Sequence, residues 1–221
     1  MNWVAYGTMF ALFLFSHSIP TRPAVKRRAV AAVGARGFTI LYSLLSLAML
    51  LLLIRAANWP DPVLLWPQSA ITLTVTRIGM LAVCMIFALS LGRPNPFSFG
   101  GAKTDVFDPS RPGFVRVHRH PLLLGFLLWA GLHLLPNGDL AHVLLFGALG
   151  GFATLGMRLL DRRRQKELGM QTWQTLWHHA KRAPLRTVFA KGDVRRSVYA
   201  LIAYCALIAG HSFFAGVSVF W

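Results

Sequence analysis

The sequence predicts an all-α fold: a polytopic membrane helical bundle of about six transmembrane helices, plus a cytoplasmic interfacial amphipathic helix. Three observations predict it. Of the 221 residues, 55% are hydrophobic and only 14% are charged, whereas a soluble domain carries about a quarter charged residues. The apolar residues fall in runs of the length that crosses a bilayer, about 17–25 residues. The 23 Lys and Arg residues, against 7 Asp and Glu, are confined almost entirely to alternate loops between those runs.

Six runs stand out. They extend from Asn2 to Ile19, Gly37 to Ala57, Ala70 to Gly92, Pro121 to Leu135, Leu140 to Leu160 and Ser197 to Trp221. The first and fourth are the shortest. Prolines mark the limits: Pro20 and Pro23 follow the first run, Pro60, Pro62 and Pro67 fill the second loop, and Pro94, Pro96, Pro109 and Pro112 fill the third. Pro121 opens the fourth run, where its missing N–H costs no intrahelical bond. Pro136 closes that run, and no proline interrupts a helix interior. No basic residue precedes the first run and no small-residue cleavage site follows it, so a retained helix is expected there rather than a signal peptide.

Orientation follows from the basic residues. The first loop holds Arg22, Lys26, Arg27, Arg28 and Arg36. The third holds Arg93, Lys103, Arg111, Arg116 and Arg119. The fifth runs from Arg158 and Arg162 through Lys166, Lys181 and Lys191 to Arg196. Only Arg55 and Arg77 fall elsewhere. The odd loops are therefore expected in the cytoplasm and both termini in the periplasm of a bacterial inner membrane. The net charge of +16 is segregated between apolar spans, which argues for a lipid bilayer as partner and against nucleic acid.

Local patterns add detail. Asn137-Gly138 suits a tight turn, and Asp139 is placed to cap the fifth helix. Gly147 and Gly151 form a small-xxx-small pair that permits close helix approach. Between Gln165 and Lys181, residues Trp173, Leu176, Trp177 and Ala180 share one helical face with basic residues around it, the pattern of a helix on the membrane surface. Cys84 and Cys205 lie in separate apolar runs and read as small core residues.

The histidines carry the chemistry. His17, His133 and His211 fall within apolar runs, where a polar side chain needs a partner. Each could ligate haem or metal, carry protons, or pack with a hydrogen bond. His118 and His120 form an H-x-H pair, which could ligate metal jointly only from extended backbone. His120 and Arg119 open the fourth helix, whose first N–H groups and positive dipole end suit an anion.

Ser16-His17-Ser18-Ile19-Pro20, Arg36-Gly37-Phe38, Pro94-Asn95-Pro96, Arg119-His120-Pro121-Leu122-Leu123-Leu124-Gly125, Pro136-Asn137-Gly138-Asp139 and Asp161-Arg162-Arg163 together resemble the NnrU family. The likeness runs in order over essentially the whole chain and implies a single domain over 1–221. It also implies an integral membrane protein associated with denitrification and nitric-oxide metabolism.

Two further resemblances suggest cofactors. The zeta-carotene isomerase, a haem b enzyme, is similar at Ser16-His17-Ser18 and in the step from Trp129 to His133. That likeness implies His17 and His133 as ligands of the haem iron; the isomerase carries a cysteine where Ala130 stands here. The isoprenylcysteine and phospholipid methyltransferases are similar from Arg119 to Gly125. Leu123 replaces their aromatic, and Asp161-Arg162-Arg163 replaces their paired acids. Three functions follow as expectations: a haem-binding protein, a membrane enzyme of isomerase or methyltransferase type, and a scaffold for denitrification enzymes.

Depth along the helices proposes other pairings. His133 lies thirteen residues beyond His120, a step on the order of 20 Å along a helix. By depth, His17 matches His120 and His133 matches His211.

Overall fold

The structure is a computed structural model, and it describes residues 2–100, 104–189, 192–217 and 219. Lys103, Lys191 and Trp221, which the sequence assigns to two cytoplasmic loops and the end of the last run, lie outside the described residues.

Among the described residues the chain forms seven α-helices. They are α1 (Asn2–Ser18), α2 (Pro23–Ala56), α3 (Ala70–Ser90), α4 (Pro121–Leu134), α5 (Leu140–Leu168), α6 (Met170–Arg182) and α7 (Asp193–Ala215). Six coincide with the apolar runs, and α6 is the amphipathic helix. By length and composition α2, α3, α5 and α7 can cross a membrane. Helix α4 has 14 residues, a rise of about 21 Å, short of the roughly 30 Å hydrocarbon core. The apolar helices expose their side chains freely: Ile40, Leu41, Leu44, Leu47 and Leu52 on α2 are all exposed. So continuous an apolar surface suits lipid, not water.

Helix ends follow local chemistry. Ser69 Oγ accepts from Thr72 N at 3.2 Å while Ser69 N donates to Thr72 Oγ1 at 3.1 Å, closing a capping box on α3. Asp139 Oδ1 accepts from His142 N at 3.1 Å and caps α5, as its position after Asn137-Gly138 predicts. The first loop departs from expectation. From Pro23 it is helical, and only Gly34, at φ 75°, breaks its run into α2. Pro23 begins that helix with its φ already set, and a glycine alone takes the left-handed backbone at the kink without strain.

The chain divides into two compact units. The first comprises Met1–Leu65, Asp139–Leu145 and Gly210–Trp221. In it α1 packs on α2, Tyr42 donates to the His17 carbonyl at 3.1 Å, and Tyr6 donates to the Ala141 carbonyl at 2.8 Å. Arg55 Nη1 donates to the Phe213 carbonyl at 2.7 Å, which answers an exposed C-terminal acceptor of α7.

The second unit comprises Trp66–Gly138 and Phe146–Ala209. Here α3 packs on α4: Thr76 Oγ1 donates to the Leu132 carbonyl at 2.7 Å. A Cβ on Gly79 would meet Leu132 at 2.6 Å. Gly150 and Gly156 of α5 face Leu127, Ala130 and Leu123 of α4, whereas nothing lies within 4 Å of a Cβ built on Gly147 or Gly151. The close approach thus uses a different face of α5 from the expected pair. Arg196 Nη1 donates to the Ala88 and Leu91 carbonyls, 2.7 and 2.8 Å away, and Arg93 pairs with the buried Asp193. Together they join the start of α7 to the end of α3.

Candidate functional site

The second unit gathers polar side chains at the start of α4. His120 is the residue before Pro121, and its backbone (φ −117°, ψ 66°) is non-helical. A residue preceding proline is held out of the helical region, so the ring projects beside the helix start and not along it. His120 is 1% exposed. Its Nε2 donates to Asp161 Oδ1 of α5 at 3.0 Å. A carboxylate oxygen can only accept, so the proton is on Nε2 and the lone pair on Nδ1. That Nδ1 is buried and has no hydrogen-bond partner among the described residues.

Asp161 is held on a second side. Arg119 Nε donates to Oδ1 at 3.1 Å and Nη2 to Oδ2 at 2.7 Å, a bidentate pair. The Arg119 guanidinium in turn lies 5.1 Å from the Trp173 ring and 4.8 Å from the Trp177 ring of α6, within cation–π range. The amphipathic face of α6 therefore does more than meet a surface. Trp173 packs with Phe97 and Val115, and Leu168, Leu176 and Trp177 join the same cluster. Asn95 holds the loop above: its Nδ2 donates to the Arg119 carbonyl at 3.0 Å and its Oδ1 accepts from Phe97 N at 2.9 Å.

Electrostatics set the resting state. Burial pushes the His120 imidazole below its ordinary value; the Asp161 carboxylate opposes that shift, and Arg119 and His118 reinforce it. His118 is lowered for the same first reason, burial. Its Nδ1 accepts from His120 N at 3.1 Å, which fixes the H-x-H segment. His120 is therefore a neutral imidazole, oriented by a carboxylate, with its basic nitrogen turned inward. That is the arrangement of a general base or a single nitrogen ligand.

Of the residues singled out from the sequence, Arg119, His120 and His133 lie in the second unit and His17 and His211 in the first. Arg119 and His120 meet on one carboxylate. His133 is on the same helix as His120, near its other end. Each depth pair takes one residue from either unit.

His17, His133 and His211 share a feature that His120 lacks. Their Nδ1 atoms face the carbonyls of Phe13 at 3.3 Å, Trp129 at 2.8 Å and Val217 at 2.9 Å. Carbonyls only accept, so in each neutral ring the proton is on Nδ1 and the lone pair on Nε2. His17 also packs on Phe13, ring centroids 4.4 Å apart, and His133 between Trp129 at 5.2 Å and Phe146 at 5.1 Å.

Asp161 is the residue that sequence reasoning passed over. It was legible as one of only seven acidic residues, set among Arg158, Arg162, Arg163 and Arg164. In the sequence it stands only within the Asp161-Arg162-Arg163 motif; its partner Arg119 is 42 residues away.

Comparison with known proteins covers nearly the whole chain. The family model described as NnrU protein matches residues 7–219. No curated protein and no solved structure matches it.

Proposed function

The chain belongs to the NnrU family, and from that premise we propose that it is a membrane enzyme of denitrification and nitric-oxide metabolism whose reacting group is His120. In this reading it resides in the bacterial inner membrane with both termini periplasmic, and the Arg119–His120 end of α4 faces the cytoplasm. The observation that carries the reading is the locked tautomer of a buried imidazole: Nε2 on Asp161 and Nδ1 without a partner among the described residues.

Each neighbour has a part. His120 Nδ1 accepts a proton from an O–H or N–H donor bound beside it, since nitric oxide itself carries none. The imidazolium so formed keeps its Nε2–H on Asp161, which stabilises the new charge. Arg119 holds both carboxylate oxygens, so Asp161 stays ionised and does not take the proton itself. Positioned general bases contribute about 10²–10⁴-fold to rate. In cells growing by nitrite respiration, His120→Gln should lower nitric-oxide turnover at least about 100-fold with normal protein in the membrane. Wild-type turnover at normal protein levels would remove His120 from the chemistry.

A second reading is favoured by the Nδ1–carbonyl bonds of the membrane histidines. Bound haem b would supply an iron that can take nitric oxide as a ligand. The chemistry of His17, His133 and His211 fits that group, because a donor nitrogen remote from the main chain clears a planar macrocycle. His120 does not fit, because its basic Nδ1 adjoins Cβ and is buried. His133, beside Trp129 in the second unit, would hold the haem. A Soret band in protein purified from haem-replete cells, lost in His133→Ala, is the expected result. A colourless wild-type protein would end this reading and leave the first untouched.

A further inference from the structure

Buried polar atoms without partners are rare, and each asks for an explanation such as a bound water, ion or ligand. Among the described residues Ser98 Oγ, His120 Nδ1, Arg164 Nε and Trp173 Nε1 are such atoms, and their side chains belong to segments that meet at Arg119. Arg164 Nη2 donates to the Ser98 carbonyl at 3.3 Å. Phe97, next to Ser98, lies edge-on to Trp173 at 6.0 Å. Arg119 lies over Trp173 and shares Asp161 with His120. Ser98 is 2% exposed and Trp173 8% exposed.

The start of α4 adds to this set. The His120 side chain makes no cap bond, and Pro121 has no N–H. The first-turn N–H groups of buried Leu122 and Leu123 have no hydrogen-bond acceptor among the described residues. A buried helix N-terminus left uncapped is unusual, and its partial positive charge favours an anion. The ring of His120 is anchored on this turn through its own main chain. With Nε2 committed to Asp161, the nitrogen left over is Nδ1, the one adjoining Cβ and the main chain.

The inventory is specific. Trp173 Nε1, Ser98 Oγ, Arg164 Nε and two backbone N–H groups donate; His120 Nδ1 alone requires a donor. Asp161 does not oppose an anion, because Arg119 and His120 occupy both of its oxygens. Glu167 is likewise engaged, by Arg163 at 2.6 Å and Arg164 at 2.7 Å.

We propose that these groups form a binding site for a singly protonated oxyanion of the hydrogen-phosphate class, carried by a free anion or by a phosphomonoester headgroup. The oxygens of the ligand accept from the donors, and its one O–H donates to His120 Nδ1. This inference rests on the same His120 tautomer as the proposed function and goes beyond it by naming a ligand class for the groups around that nitrogen. Sulfate has the same shape but no proton at neutral pH, so it sets an oxygen lone pair against that of Nδ1.

Titration calorimetry on the full chain in detergent tests the site with three probes: inorganic phosphate, sulfate and short-chain phosphatidic acid. Phosphate, phosphatidic acid or both should bind, and sulfate at least about tenfold more weakly than the phosphate-bearing probe. Binding of phosphatidic acid alone assigns the source to a lipid headgroup; binding of both assigns the site to the phosphate group itself. Ser98→Ala and Trp173→Phe should each weaken binding about three- to tenfold. The empty Ser98→Ala protein should melt no lower than wild type, because the hydroxyl it loses had no partner. Absence of binding by both phosphate probes overturns the site. So does sulfate binding as tight as that of phosphate, or wild-type affinity in both variants. If the site fails and His120→Gln still abolishes turnover, the general-base reading stands alone. If phosphate binds and His120→Gln keeps full turnover, that reading falls and the site remains.

Discussion

His120 and Asp161, 41 residues apart in sequence, meet through one hydrogen bond of 3.0 Å from Nε2 to Oδ1. The bond decides which nitrogen of a buried ring is basic. It also places the carboxylate that contacts His120 where Arg119 can neutralise it. The stability, tautomer and reactivity of the start of α4 are thereby linked to one residue near the end of α5.

Stability should depend on pH through His120. Its folded value lies below the ordinary 6.5 because burial disfavours the imidazolium. Above pH 6.5 neither the folded nor the unfolded form binds the proton, and stability is complete. Below 6.5 the unfolded chain takes up a proton that the folded chain refuses, so stability falls with pH until the lowered folded value is reached. The slope for one such histidine approaches about 1.4 kcal/mol per pH unit. Denaturation midpoints in detergent between pH 7.5 and 5 (a range of conditions) should show this loss. His118, lowered for the same reason, contributes as well, so His120→Gln should reduce the slope without removing it; an unchanged slope in that variant would assign the dependence elsewhere.

Asp161→Leu keeps roughly the volume and removes both the charge and the acceptor oxygens. Arg119 is left without its counter-ion, and His120 loses the acceptor that selects its tautomer. We expect a loss of about 2–4 kcal/mol, with the His120 ¹⁵N resonances shifting from a single Nε2–H tautomer to a mixture. Retention of the wild-type ¹⁵N pattern would show that Asp161 does not orient the ring.

Gly138→Ala tests the turn between α4 and α5. A Cβ there would come within 2.0 Å of the Trp66 carbonyl oxygen, a backbone atom that cannot swing aside. Trp66 N also donates to the Gly138 carbonyl at 3.2 Å. The substitution should destabilise by about 2 kcal/mol or more, seen as a lower melting temperature. Gly131→Ala, where nothing lies within 4 Å, should cost far less.

Topology can be read directly. If α1 and α4 cross together with the four longer helices, and the basic loops are in the cytoplasm, a reporter active only in the cytoplasm should be silent when fused after Trp221. The same reporter inserted in the Arg162–Arg164 stretch should be active. Activity at the C-terminus would mean that α1 or α4, the two shortest apolar helices, does not cross.

The sequence by itself determined the helical membrane architecture, the six apolar helices to within a few residues at most ends, the Asp139 cap and the amphipathic nature of α6. These are local properties: hydropathy over a turn or two, proline and glycine chemistry, and the identity of a capping side chain all act within a few residues. The first loop was misjudged where local signals conflict, since a basic, alanine-rich segment after Pro23 is a good helix whether or not it is in the membrane. Arg119 and His120 were legible as an exceptional pair at a helix start. What they do was not, because Asp161, Trp173 and Trp177 are 41 or more residues from His120 and come to it only when α4, α5 and α6 pack. Only that packing removed water from His120, aligned Asp161 with Nε2 and stacked two tryptophans on Arg119. Burial and pairing depend on distances between helices, which no local pattern encodes.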